Sequence, residues 1–165
     1  MANTYTQLYV HVVFAVKGRA NLISLKWKTK LYQYITGIIT NKNQKRMIIN
    51  GMPDHLHLLI GIKPDCNLSD LVRDIKANSS KWINENKFLA VKFEWQTGFG
   101  AFTVGQSQIQ TVINYILNQE EHHRKKTFRE EYIKFLNACQ IDYKTEYIFD
   151  DYGTAPTELK NNNDN

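Results

Sequence analysis

The sequence has little cysteine: two residues in 165, Cys66 and Cys139. They form no paired motif, so neither a disulfide framework nor a thiolate metal site organises this chain. Both read as reduced thiols of a cytoplasmic protein. No apolar run approaches the roughly 20 residues that a membrane helix needs. The opening stretch, Met-Ala-Asn-Thr-Tyr-Thr-Gln, has neither a basic region nor an apolar core, so no secretory signal is expected. No internal repeat is visible. These absences exclude a secreted disulfide scaffold and a membrane-spanning protein.

What is there reads as one globular domain. The chain is long enough to bury a sizeable core, and its 42% hydrophobic and 12% aromatic content argues against disorder. The domain is expected over residues 1–150. The polar stretch 151–165, ending Asn-Asn-Asn-Asp-Asn, is expected to be a disordered tail. A net charge of +5 and a pI near 9.1 admit a polyanion partner without establishing one.

Hydrophobic periodicity places the elements. Residues 5–17 alternate as a strand, with Leu8, Val10, Val12, Phe14 and Val16 on one face and Tyr9, His11 and Val13 on the other. Lys17-Gly18-Arg19 makes a basic turn. Residues 24–41 have helical spacing, with Ser24 as the cap. A short strand at 45–50 leads through Gly51 into the apolar run after Met52-Pro53-Asp54. A second helix starts at Asn67, with Asp70 three residues on. It buries Leu68, Leu71, Val72, Ile75, Ser79 and Trp82 along one stripe. A fourth strand is expected within 89–96. The glycines at 98, 100 and 105 then predict a mobile connection. A helix over 107–123, capped by Ser107, carries Ile109, Val112, Ile113 and Ile116 on its apolar stripe. Tyr115, Gln119 and His122 lie on one side of it. A last helix spans 127–139 with Phe128, Tyr132, Phe135 and Leu136 as its apolar residues.

The order strand, helix, strand, strand, helix, strand predicts an α+β fold. It is the ferredoxin-like or RRM-like antiparallel sheet, βαββαβ, with both helices on one face, followed by a C-terminal helix that carries Tyr115. On the strand after Asp54, the row Leu56, Leu58, Ile60, Ile62 takes the helix-covered face. His55 and His57 are left on the opposite, open face, with His11 on a neighbouring strand. Two imidazoles two residues apart on a strand can converge on one metal ion. Alone, the pair is equally well two half-exposed strand histidines.

Three pieces taken together decide between those readings. They are His55-Leu56-His57 after Met-Pro-Asp, Tyr115-x-x-x-Gln119 on a late helix, and Tyr-Val-His-Val-Val-Phe-Ala-Val-Lys-Gly-Arg at the front. Together they resemble the single-tyrosine HUH transposases of the insertion sequence 200/605 type and their REP-associated relatives. The likeness covers residues 5–140. Trp-Gln-x-Gly-Phe-Gly-Ala-Phe before the tyrosine helix also looks like this group.

The resemblance implies a single-strand DNA endonuclease and strand transferase. In it, Tyr115 is the nucleophile that forms a covalent 5′-phosphotyrosine. His55, His57 and Gln119 hold Mg²⁺ or Mn²⁺. Imidazole ligands favour Mn²⁺ over Mg²⁺ in vitro. The implied partners are single-stranded DNA with hairpin ends and a second copy of the chain, with the tyrosine helix hinged at the three glycines. Lys17, Arg19, Arg73 and Lys76 are candidate DNA contacts. The rivals are a non-catalytic nucleic-acid module on an RRM-like sheet, a metal-dependent hydrolase that activates water, and a HUH endonuclease of another branch.

Overall fold

The computed structural model describes residues 3–144 and Ile148. Its centre is a four-stranded antiparallel sheet built from β1 (Leu8–Ala15), β2 (Lys45–Met52), β3 (His55–Ile62) and β4 (Gly100–Val104). The strand order is β2-β3-β1-β4. That is the expected βαββαβ arrangement, with α1 (Lys28–Asn41) and α2 (Leu68–Glu85) as its helices. Register sets the faces. Val12 lies opposite Leu58 and Val13 opposite His57, so the strand parity of β1 and β3 agrees across the pair.

The apolar row of each central strand points at α1 and α2. Val10, Val12, Phe14, Leu56, Leu58 and Ile60 form one cluster with Leu31, Ile35 and Ile39 of α1 and Leu71, Val72, Ile75 and Ile83 of α2. Each such side chain, fully withdrawn from water, contributes about 1.5–3 kcal/mol. Asn67 caps α2 as the sequence predicts, its side chain accepting from the Asp70 amide at 3.1 Å.

Several boundaries differ from expectation. Residues 24–27 form a turn rather than the first turn of α1. Ser24 Oγ accepts from the Lys26 amide there, and Trp27 takes the N-cap position. Residues 89–96 are not the fourth strand. Phe93 and Trp95 bury in the main core, which accounts for the alternation, but the backbone forms only an isolated bridge, Trp95 with Val16 just past β1, closed by the Gln96 amide donating to the Ala15 carbonyl and the Lys17 amide to the Glu94 carbonyl. The Asn84 side chain supplies what a neighbouring strand would: its Oδ1 accepts from the Phe93 amide at 2.8 Å and its Nδ2 donates to the Phe93 carbonyl at 3.0 Å. The true fourth strand is the glycine-containing stretch that predicted a mobile connection. Gly100 pairs with Val13, and a methyl group on it would meet the Tyr132 ring at 2.6 Å. Of the glycines at 98, 100 and 105, only Gly98 takes the left-handed conformation, with φ of 88°.

The second face of the sheet is not open. Three helices cover it: α3 (Ile109–Leu117), α4 (Gln119–Lys125) and α5 (Phe128–Ala138). Leu59 of β3 packs with Ile109 and Ile116 of α3. Val13, Ala15 and Phe102 pack with Phe128, Tyr132 and Leu136 of α5. The single helix expected over 107–123 is a 3-10 turn at Gln106–Gln108, then α3, a break at Asn118, then α4. Ser107 makes no capping bond. Thr127 caps α5 through a reciprocal box with Glu130. The tail expected after residue 150 and the His122 side chain lie outside the described structure.

Candidate metal centre and tyrosine

The site is built on β3. Asp54 ends the turn after Pro53, and the next residues, His55 and His57, share the face beneath α3–α5, both fully buried. An imidazole in that position must have its two nitrogens satisfied. His55 Nδ1 lies 2.7 Å from Asp54 Oδ1. A carboxylate cannot donate, so Nδ1 carries the proton and Nε2 presents its lone pair. Asp54 is in turn held by Arg19, whose Nε donates to Oδ2 at 2.7 Å. The Arg19 guanidinium also lies 4.4 Å over the Phe128 ring centroid. Burial alone would raise the Asp54 carboxyl, but His55 and Arg19 bring it down to about 2.

His57 is oriented the same way by a different partner. Its Nδ1 lies 2.9 Å from Nε2 of His11, which β1 brings beside it. Burial, with the neighbouring His57, lowers His11 to about 3, so His11 is a neutral ring able to accept. Burial lowers His55 to about 4, against the opposing pull of Asp54. Both strand histidines are therefore set with Nε2 facing away from the sheet.

The helices bring polar atoms to those two nitrogens. Gln119 Oε1 lies 3.3 Å from His55 Nε2 and 3.2 Å from Nε2 of His123, one turn later on α4. Gln119 Nε2 turns back to the Tyr115 carbonyl at 3.4 Å. Tyr115 and Gln119, four residues apart across the break at Asn118, both face β3. Asn50 of β2 steadies that break by donating to the Ile116 carbonyl at 2.9 Å and the Leu117 carbonyl at 3.2 Å. The Tyr115 ring stands edge-on to His57, centroids 5.8 Å apart. Burial and the adjacent Glu131 carboxylate hold the Tyr115 hydroxyl well above the usual tyrosine range.

Sequence reasoning missed Glu131. Its carboxylate is buried, with Oε1 2.9 Å from His57 Nε2 and Oε2 3.2 Å from His123 Nε2. Burial works against its ionisation, yet hydrogen bonding from His123 and His57 holds it well below the usual carboxylate range. It follows Glu130 and so reads as one of a pair of solvated charges. The signal was its phase: Glu131 falls three residues after Phe128 and four before Phe135, inside the apolar stripe of α5. His123 was missed as well, although it falls four residues after Gln119 and eight after Tyr115, on the same side of a helix.

His55, His57 and Glu131 bring ligand atoms within 4.8 Å of one another, a grouping able to hold a metal ion. His57 Nε2 and Glu131 Oε1 are both buried, 2.9 Å apart. Once His57 Nε2 gives up its proton, as metal binding requires, its lone pair and the carboxylate oxygen fit a cation between them. A divalent ion therefore suits the residues present.

The basic candidates fall in different settings. Lys17 is exposed and paired with Glu94 at 3.0 Å, and Arg73 is exposed and paired with Asp70 at 2.9 Å. Arg19 is buried against Asp54. Lys76 donates to the carbonyls of Gln96 and Gly98 at 2.6 and 2.8 Å, tying α2 to the segment before β4.

With this geometry in view, the sequence model for the family described as IS200-like transposases matches residues 4–119, well over half of the chain. The chain belongs to the IS200-like transposase family. The transposase of insertion sequence element IS200 from Salmonella typhimurium is 26% identical over 129 residues, covering 73% of this chain and 84% of that relative. Its counterpart from Salmonella typhi matches to the same extent. Among solved structures, one titled as a candidate transposase of Deinococcus radiodurans R1 superposes with a TM-score of 0.59 at 22% identity, over 72% of this chain and 95% of that one. A REP-associated tyrosine transposase bound to a REP hairpin superposes with a TM-score of 0.58 at 15% identity, over 74% of this chain and 73% of that one. This transposase shares their fold. Among its described residues, no helix is long and apolar enough to cross a membrane.

Proposed function

We propose that this transposase cleaves and rejoins single-stranded DNA at the ends of an insertion sequence, through a covalent 5′-phosphotyrosine on Tyr115. The observation that carries the reading is the meeting of two motifs far apart in sequence. The helices α3 and α4 bring Tyr115 and Gln119 onto the face that holds His55 and His57, with Gln119 Oε1 3.3 Å from His55 Nε2. An RRM-like binding module has no need of that meeting.

His55, His57 and Gln119 would hold a divalent ion, Mg²⁺ or Mn²⁺. Such an ion polarises a phosphate and neutralises charge as it develops. The chain's own groups do the rest. Asp54 and His11 keep the two histidines in the tautomer that points Nε2 outward. Tyr115 supplies the attacking oxygen. The Tyr115 phenol gives up its proton, a Tyr115 Oη–P bond forms as the P–O3′ bond breaks, and the leaving 3′ oxygen takes a proton to become a free hydroxyl. Attack by another 3′-hydroxyl reverses these events and restores a phosphodiester without an external energy source. Burial keeps the phenol protonated in the absence of substrate, which guards the nucleophile against premature reaction. The Tyr115 hydroxyl is out of solvent, so a strand enters only when α3–α5 shift relative to the sheet.

Hairpin-bearing single-stranded DNA is the substrate class, by analogy with the REP hairpin held by the related structure. Lys17 and Arg73 are the exposed basic residues of the candidate set, whereas Arg19 and Lys76 serve internal contacts. A transposase of this kind works in the cytosol. It is expected as a homodimer, which light scattering at working concentration tests. The function itself is tested by incubating the protein with hairpin-bearing single-stranded DNA from its flanking genomic ends and Mn²⁺, then running a denaturing gel. A covalent adduct is expected with wild type and none with Tyr115→Phe or His57→Ala. Cleavage that persists in Tyr115→Phe would mean an activated water, and absence of any adduct in wild type would favour a non-catalytic module.

A further inference from the structure

We propose that Glu131 of α5 is an anionic fourth ligand of the divalent ion, so that the ion bridges β3 to α5. The inference rests on the metal-centre reading above and extends it to a residue outside the two motifs.

Charge is the first argument. Glu131 is buried, and its ion-pair partners are the imidazoles His57 and His123. Among the described residues no lysine or arginine pairs with it. An anion in that setting, beside rings that are cationic only when protonated, calls for a cation. Geometry is the second. In an octahedral site with ligands near 2.1 Å, adjacent ligand atoms stand about 3.0 Å apart. His57 Nε2 and Glu131 Oε1 stand 2.9 Å apart, and His55 Nε2 and Gln119 Oε1 stand 3.3 Å apart. Both spacings match edges of such an octahedron.

Chemistry is the third. Two imidazoles and an amide form a neutral set that suits borderline metals. A carboxylate adds the hard, charged oxygen that Mg²⁺ and Mn²⁺ prefer. Four protein ligands still leave two of six positions for phosphate oxygens. The residue comes from the helix whose Phe128 stacks on His55 at 4.0 Å, so binding of the ion would fasten α5 over the site.

The test needs no DNA. Metal-stripped full-length wild type, Glu131→Gln and His57→Ala are titrated with Mn²⁺ by calorimetry and by Mn²⁺ electron paramagnetic resonance. Hydrogen exchange of the α5 amides is followed with and without Mn²⁺. Wild type is expected to bind, His57→Ala to lose binding, and Glu131→Gln to bind at least about tenfold more weakly, in the range that loss of metal-site groups produces. Mn²⁺ should slow exchange across α5 in wild type and leave it unchanged in Glu131→Gln. If Glu131→Gln is destabilised, the Mn²⁺-induced rise in Tm over its own metal-free value is compared instead, since that increment reports affinity. Wild-type affinity in Glu131→Gln together with loss in His57→Ala overturns the ligand role and leaves the metal centre standing. Absence of Mn²⁺ binding by wild type overturns both.

Discussion

Replacing Asp54 by Asn tests how the histidine pair is held. Asp54 accepts from His55 Nδ1 at 2.7 Å and from Arg19, and both side chains of the Arg19–Asp54 pair are buried, 6% and 12% exposed. Asn keeps the shape and an oxygen for His55 but removes the charge opposite a guanidinium already out of water. Removing one partner of a buried pair costs about 3–5 kcal/mol. The Phe128 ring beneath Arg19 and the retained hydrogen bonds to Asn place the expected loss at the lower end, about 3 kcal/mol. For a domain of this size each kcal/mol moves Tm by about 2–4 °C, so Tm should fall by roughly 6–12 °C. Scanning fluorimetry of metal-stripped protein measures it. The double variant Arg19→Met with Asp54→Asn should recover much of the loss, because it removes the stranded charge. The folded Asp54 carboxyl titrates near 2, below its usual value. Its contribution is therefore full above about pH 4 and is lost as the pH falls toward 2. The gap between wild type and Asp54→Asn should narrow over that window. A Tm within about 1 °C of wild type at pH 7, or a double variant no better than the single, would refute the buried-pair reasoning.

Metal-stripped protein should also lose stability in mild acid because of His11 and His55, whose folded values are lowered to about 3 and about 4. Between about pH 6.5 and 4 the unfolded chain takes up protons there that the folded chain refuses, so stability falls as pH falls, by up to about 2.7 kcal/mol per pH unit while both sites differ. Urea denaturation across pH 7 to 4 checks this, and a flat profile contradicts it. Gly51→Ala puts a methyl group 2.2 Å from the His55 carbonyl oxygen, and a backbone atom cannot rotate away. The β2–β3 hairpin must shift, costing about 1–3 kcal/mol or more and weakening Mn²⁺ binding along with it. Unchanged Tm and Mn²⁺ affinity would show the hairpin yields without moving His55.

The fold was legible where one periodicity meets one layer. The β1 and β3 alternation and the α2 stripe depend on local spacing and a single packed face, and the βαββαβ arrangement followed from them. The fourth strand was misread because burial and sheet pairing usually travel together, and here they separate. Phe93 and Trp95 are buried, but Asn84 of α2 rather than a strand satisfies the Phe93 backbone. Glycines were taken to mean mobility, whereas Gly100 is small so that Tyr132 can lie against β4. In the site, His55, His57, Tyr115 and Gln119 announced themselves through spacing and family likeness, and the structure brings them together. Asp54 and His11 lay within the quoted motifs, but their partnerships with His55 and His57 appear only in three dimensions. Glu131 and His123 had no motif. Glu131 also required seeing a polar residue in the phase of an apolar stripe as a signal.

The buried face of the sheet explains why a stable fold would tolerate such a centre. His55, His57, Gln119 and Glu131 sit where a core would ordinarily place aliphatic side chains, and Phe128, Phe102 and Leu59 fill the gaps around them. Each buried polar atom left without a hydrogen-bond partner costs about 1–3 kcal/mol. Without an ion, His57 avoids that cost by carrying its proton on Nε2 and donating to Glu131 Oε1, 2.9 Å away, while its Nδ1 accepts from His11. A divalent ion would take the place of that proton without displacing any apolar contact, so its uptake should release a proton. Truncating Glu131 removes one acceptor, whereas truncating Asp54 strands the Arg19 charge and should cost the metal-free protein more.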